Sequence, residues 1–152
     1  MIISGQTPDV RARLLESLGK GPKLVNYAGH GSVDLWRGNV FTSADALSLG
    51  SSGKVSVYLL MTCLNGYYHA PNLDSLAESL LKAPGGAAAV WASSGFTVPT
   101  DQEELNVVMV RTLYERSGMT LGRAIQIAKT AIGDPDVRRT WILLGDPTMV
   151  YN

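Results

Sequence analysis

The run "VSVYLLMTCLNG", residues 55–66, decides the fold. From Val55 to Met61 nearly every position is apolar, and Val, Tyr and Leu dominate. A strand with one wet face alternates apolar and polar residues. A strand apolar on both faces is buried on both, as in a parallel sheet covered by helices. A second run, "LVNYA" at 24–28, and a third, "AAAVWA" at 87–92, have strand character too. Between them lie helical patterns. Residues 7–18 carry Val10, Leu14, Leu15 and Leu18 on one face, with Thr7 as cap and Pro8 at the first helical position. "TSADALSLG" reads as a short helix capped by Ser43, and Leu73–Ala83 as an amphipathic helix stopped by Pro84-Gly85-Gly86. Gln102–Arg116 and a segment capped by Thr120 and running to Ala131 complete the helices. The end, "WILLGDPTMVYN", reads as a Gly-Asp-Pro turn and a final strand at Thr148–Tyr151. Strands alternating with helices imply an α/β fold with a mostly parallel sheet covered on both sides. Only about four strands are visible and the chain opens on a helix, whereas open sheets of this class usually carry about five or six strands. The expectation is a single domain over residues 1–152 that lacks N-terminal strands.

Composition narrows the function. The chain has 152 residues, one domain's worth. Net charge is zero, mean hydropathy is +0.08 and the pI is about 6.7. No basic run points to nucleic acid or an acidic membrane surface. No apolar stretch reaches the roughly 20 residues of a spanning helix, and the first residues lack the layout of a signal peptide. One cysteine excludes an internal disulfide framework.

In an open parallel sheet, ligands bind beyond the carboxyl ends of the strands. Three loops leave such ends: Gly29-His30-Gly31-Ser32, Cys63-Leu64-Asn65-Gly66 and Ser93-Ser94-Gly95-Phe96. Neighbouring strands lie ~4.8 Å apart, so His30 and Cys63, from successive strands, are within reach of each other. A neighbouring imidazole raises the thiolate fraction of a thiol or moves protons for it. Attack on an amide makes an oxyanion that needs backbone N–H donors. Gly31 and Cys63 are the candidates. Taken singly, a buried cysteine is ordinarily a packing residue and a histidine between glycines a turn residue. Their placement at two successive strand ends, histidine first, favours a pair. A zinc site fails on count, because one cysteine, His30 and His69 offer no close-spaced ligands. His69 reads as a loop residue. Ser93-Ser94-Gly95 lacks the serine-hydrolase elbow, and "GSSGK" at 50–54 lacks the phosphate-loop spacing.

The blocks "NYAGHGS", "VYLLMTCLNGYY", "LAESLL", "GGAAAVWASSG", "TLGRAIQIAK" and "LLGDPTMVY" together resemble the gingipain-type cysteine peptidases, peptidase family C25 of the caspase-like clan. The likeness runs from Leu24 to Tyr151. It implies a three-layer caspase-like sandwich, of which this chain is the C-terminal portion of the peptidase domain. It implies a cysteine endopeptidase with His30 as catalytic histidine and Cys63 as nucleophile, acting on protein or peptide substrates. Backbone N–H groups of Gly31 and Cys63 would form the oxyanion hole. Trp36, Ser93, Ser94, Gly95 and Phe96 are candidate walls of the substrate pocket, and Glu78 a structural residue. The resemblance implies no cofactor for catalysis, structural calcium in some members, and an extracellular or cell-surface location. The expected missing N-terminal part is the portion that supplies the first strands, part of the substrate pocket and, in some members, an acidic residue that selects basic substrates, so the resemblance implies no Arg or Lys preference for this chain. Two rivals stand beside this reading: another caspase-like module, the CHAT type, and an inactive caspase-like interaction or scaffold domain.

Overall fold

The computed structural model of the chain describes residues 7–51 and 53–152. Along the chain run α1 (Thr7–Gly19), β1 (Leu24–Ala28), α2 (Ser43–Leu47), β2 (Ser56–Met61), α3 (Leu76–Lys82) and β3 (Ala87–Ser93). Then come α4 (Pro99–Glu115), α5 (Leu121–Ala131), α6 (Pro135–Thr140) and β4 (Trp141–Gly145). The four strands form one sheet in the order β1-β2-β3-β4. β1, β2 and β3 are parallel, and β4 runs antiparallel to β3.

All six residues of β2 are buried, as its continuous apolar run requires. Alternate side chains enter two separate cores. Val57, Leu59 and Met61 join Ala89 and Trp91 of β3 under Leu105 and Met109 of α4 and Leu121 and Ala124 of α5. Tyr58 and Leu60 join Val90 and Ala92 against Leu18 of α1, Ala46 of α2 and Leu76 and Leu80 of α3. The sheet is thus the middle of three layers. Burial raises the Tyr58 hydroxyl far above the ordinary phenol value, so it stays neutral.

The last strand corrects the sequence reading. Trp141–Gly145, not Thr148–Tyr151, pairs with β3. Trp141 is fully buried, and Gly145 turns the chain at φ 137°, where an added Cβ would meet the Ala89 Cβ at 2.8 Å. Asp146 Oδ1 then accepts from the Thr148 N–H and hydroxyl, each at 2.7 Å. Met149–Tyr151 instead lies against the start of α5, with the Leu121 N–H donating to Met149 O at 2.9 Å. The Leu-Gly-Asp-Pro block is therefore a corner of the sheet. α6, unforeseen, is capped by Asp134, whose Oδ1 accepts from the N–H groups of Asp136 and Val137. α4 begins at Pro99, earlier than expected. Ser75 and Glu78 form a capping box on α3. Thr42 rather than Ser43 caps α2. The expected cap at Thr7 lies outside the described side chains.

One polar knot fastens α1 to the body. Arg11 reaches both carboxylate oxygens of Asp45, with Nη1 to Oδ2 at 2.7 Å. Asp45 also accepts from the Thr42 N–H at 2.9 Å and hydroxyl at 2.7 Å. Burial pushes the Asp45 carboxyl up, but the hydrogen bonds from Arg11 and Thr42 outweigh it and hold it below the ordinary value. A depressed native value stabilises the fold above the unfolded pKa of about 3.9. That contribution disappears as pH falls through the native value. Asp45→Asn should therefore cost about 1–3 kcal/mol at neutral pH. Urea titrations over a pH series should show the gap between the two proteins constant above about pH 5 and closing below about pH 4.

Candidate active site

The site is a product of strand register. In the β1–β2 ladder Ala28 stands opposite Met61. The Gly29 N–H extends the ladder by donating to Met61 O at 3.1 Å. His30 lies two residues beyond Ala28 and Cys63 two beyond Met61. The chain then bends sharply. The Thr62 N–H donates to Leu60 O at 2.9 Å, and Leu64 takes a left-handed φ of 62°. A branched aliphatic residue is uncommon there, and such strain gathers at functional turns. The bend is tied to the end of β3: the Leu64 N–H donates to Gly95 O at 3.2 Å and the Gly66 N–H to Ser93 O at 2.9 Å.

His30 and Cys63 line one cavity of about 390 Å³. Ala28, Gly29 and Met61 form its sheet side, and Thr97, Pro99, Gln102, Glu103 and Asn106 its helical side. The Cys63 thiol is half-buried, with Sγ 3.6 Å from Thr97 O. The His30 ring is exposed, while its carbonyl is anchored by the Tyr27 hydroxyl at 2.8 Å and the Arg37 N–H at 2.8 Å. Gly31 faces Trp36 in an antiparallel bridge. The flanking bonds are Arg37 N–H to His30 O and Ser32 N–H to Leu35 O at 2.9 Å. Gly31 and Trp36 are thus a non-hydrogen-bonded pair, and the Gly31 N–H points away from the ribbon. Among the described residues, neither the Gly31 N–H nor the Cys63 N–H has a backbone acceptor.

The other expected wall residues fall elsewhere. Trp36, expected to face substrate, is 2 % exposed and packs in the core on the α1 side of the sheet. Its ring stacks on Tyr27 at 3.9 Å, and it borders a separate apolar cavity of about 180 Å³. An aromatic in a glycine-rich loop looks free for binding in a sequence, and here it holds the loop down. Ser93 is fully buried and its hydroxyl donates to Gly95 O at 3.0 Å. Ser94 donates to Thr140 O at 2.9 Å. Gly95 packs against Thr140, where a Cβ would meet Cγ2 at 2.8 Å. Phe96 is 82 % exposed, beside Thr97. None of these five lines the cavity. The residues that do, Pro99, Gln102, Glu103 and Asn106, recur at helical spacing on one face of α4, a signal available in the sequence. Gln102 is nine-tenths buried. Asn106 Oδ1 accepts from Asn26 Nδ2 at 2.8 Å, joining α4 to β1. His69 sits apart, its ring against Tyr67 and Tyr68. Among the described residues, no group of three or more His, Cys, Asp or Glu side chains is placed to hold a metal ion. Nor is any described helix long and apolar enough to cross a membrane.

The sequence profile described as peptidase family C25 matches residues 2–152. Gingipain R2 of Porphyromonas gingivalis is 26% identical over 165 residues, which take in 98% of this chain and 22% of that protein. Gingipain R1 of the same organism is also 26% identical, over 98% of this chain and 16% of its own length. Among solved structures, the Arg-specific cysteine proteinase gingipain R superposes with a TM-score of 0.80 at 25% identity, covering 98% of this chain and 37% of that one. The complex of Porphyromonas gingivalis RgpB pro- and mature domains superposes with a TM-score of 0.85 at 23% identity, over 93% of this chain and 37% of that one. The chain thus spans less than a quarter of the length of these curated relatives.

The tightest point of the site is Gly31. An added Cβ would stand 2.6 Å from Thr62 Oγ1 and 2.9 Å from Leu35 O. Gly31→Ala should therefore cost about 1–3 kcal/mol through overpacking. Gly19→Ala, where a Cβ meets nothing within 4 Å, should leave stability unchanged or slightly raised. Paired thermal melts check both.

Proposed function

The chain belongs to peptidase family C25, and from that premise we propose that it is the C-terminal, His- and Cys-bearing portion of a cysteine endopeptidase domain. The observation that carries the reading is the meeting of His30 and Cys63 on one cavity at in-register strand ends. The substrate is a protein or peptide chain. The Cys63 thiolate attacks the carbonyl carbon of the scissile bond, and the C=O electron pair moves to oxygen. The N–H groups of Gly31 and Cys63 receive that oxyanion. Collapse breaks the C–N bond, and protonated His30 gives its proton to the departing amine. An acyl-thioester on Cys63 remains. Neutral His30 then takes a proton from water as it attacks; the new tetrahedral centre collapses, the C–S bond breaks and the carboxylic acid leaves, restoring the Cys63 thiolate beside protonated His30.

The cavity receives the side chain that precedes the scissile bond. Its sheet side is apolar and suits a carbon stem. Its helical side offers the Gln102 carboxamide and the Glu103 carboxylate, which favour a tip carrying N–H donors. The positive end of the α4 dipole lies at the same wall and favours negative charge on the reacting atoms. Likeness to the gingipains supports an extracellular or cell-surface setting.

Labelling the native protein with a panel of peptidyl acyloxymethyl ketones, read by intact mass, tests the assignment. A single adduct on Cys63 is expected. It should be absent in Cys63→Ala and formed at least about 100-fold more slowly in His30→Ala, the ordinary scale of acid–base assistance. Peptides ending in a side chain with N–H donors should react fastest. A thiol that labels only after unfolding would make the chain an inert scaffold and overturn the proposal.

A further inference from the structure

The residue two positions after Cys63 joins its loop to the loop of His30. Asn65 is fully buried at the turn that follows the thiol. Its Nδ2 donates to Ser32 O and to Leu35 O. Its Oδ1 accepts from Trp36 Nε1 at 3.0 Å. Its own carbonyl accepts the Ala77 N–H at 3.0 Å, fixing it to the first turn of α3. The carboxamide thus binds the Ser32–Trp36 ribbon from beneath. Nδ2 lies 3.3 Å from the point where a Cβ on Gly31 would stand. Trp36, held through its indole N–H, stacks on Tyr27 with planes 4° apart. The Tyr27 hydroxyl in turn donates to the His30 carbonyl. The Asn65 side chain therefore stands beside Gly31 and is linked to His30 through the Trp36–Tyr27 stack and the Tyr27 hydroxyl.

Only a carboxamide of this length meets the demand. Two carbonyls and one indole N–H converge on it, so it must donate twice and accept once. Aspartate has the same shape but turns an oxygen toward two carbonyl oxygens. Leucine takes the partner from the Ser32 carbonyl and from the buried Trp36 indole N–H, and leaves Leu35 O with the Ser32 N–H alone. The hydroxyl of neighbouring Thr62 is buried and has no hydrogen-bond partner among the described residues.

We propose that Asn65 is the positioning residue of the site, holding the His30 loop in register with the Cys63 thiol. The proposal rests on the His30–Cys63 reading given above. It also goes beyond a packing role. A group that only packs changes stability and leaves the chemistry of the folded protein alone. A group that positions His30 changes the rate of the chemical step, and does so only while His30 is present.

The test is the inactivation of Cys63 by the fastest acyloxymethyl ketone, with the saturating rate separated from the half-saturating concentration. The proteins are wild type, Asn65→Asp, Trp36→Phe, His30→Ala and the double variant His30→Ala/Asn65→Asp. Trp36→Phe keeps a ring against Tyr27 and removes only the indole donor. Thermal melts identify which variants remain folded. The expected result is a saturating rate reduced roughly 10–100-fold in Asn65→Asp, as a misplacement near 1 Å would give, and reduced more mildly in Trp36→Phe. The half-saturating concentration should hold within about twofold, because the cavity walls are untouched. The double variant should be about as slow as His30→Ala alone, since residues that act as a unit do not multiply. A folded Asn65→Asp that reacts at the wild-type rate overturns the proposal. So does a double variant whose losses multiply, and so does failure of both Asn65→Asp and Trp36→Phe to fold, which would assign the network to stability alone. Equal rates in wild type and His30→Ala would sink the underlying pair, and the positioning role with it.

Discussion

The parallel pairing of β1 with β2 is the constraint from which the site follows. Ala28 opposite Met61 means that the chain leaves two adjacent strands at the same level. His30 and Cys63, two residues beyond each, then line one cavity at that edge of the sheet. Burial on both faces protects this register. A slip of one residue in β2 would send Val57, Leu59 and Met61 into the layer shaped for Tyr58 and Leu60, and the reverse. An aromatic would enter the core under α4 while aliphatic side chains faced the α1 layer. Neither layer accepts the exchange without voids or overpacking. The same apolar run that drives folding therefore brings His30 and Cys63 to one cavity.

Beyond the last ladder bond, three devices keep the loops from drifting. Leu64 takes a left-handed conformation, and its N–H is bound by Gly95 O. The Ser93–Gly95 turn that supplies this carbonyl is bound inward by its own hydroxyl and by Thr140. Asn65 reaches across to the opposite loop. Each device draws on a rigid element: β3, α6 or α3. The strain at Leu64 is modest beside the burial around it, on the order of 1–3 kcal/mol for such a residue. The result is a thiol half open to a cavity and a histidine whose backbone is fixed while its ring stays accessible.

Much of this was legible in the sequence, for physical reasons. β2 was plain because burial on both faces leaves no polar positions. The shared placement of His30 and Cys63 was legible because each lies just past the end of one of two adjacent parallel strands. The α5 boundary followed from Thr120, which accepts the Arg123 N–H at 3.3 Å. β4 was misplaced because Trp141–Leu144 and Met149–Tyr151 are both short and apolar, and local pattern alone does not choose between them. The choice was made by β3, whose Ala89 admits only the bare Gly145 beside it. α6 is six residues long, too short to show periodicity, and only its Asp134-Pro135 start marked it. Trp36 was misread because its role depends on Tyr27 and Asn65, which are distant in sequence from it or from each other. The helical wall of the cavity went unseen because α4 reaches Cys63 only through the packing of the layers.

The most direct measurement is a crystal structure of the protein carrying a peptide aldehyde as a hemithioacetal. In that adduct the former carbonyl oxygen stands where the oxyanion would. The expected result is a Cys63–carbon bond, with that oxygen within hydrogen-bonding distance of the Gly31 and Cys63 N–H groups, the His30 ring on the opposite side of the new centre, and the adjoining side chain in the cavity bounded by Met61 and Gln102. An adduct whose oxygen points to solvent, or a His30 ring turned away from the thiol with the register of β1 and β2 intact, would contradict the claim that strand pairing assembles a working pair.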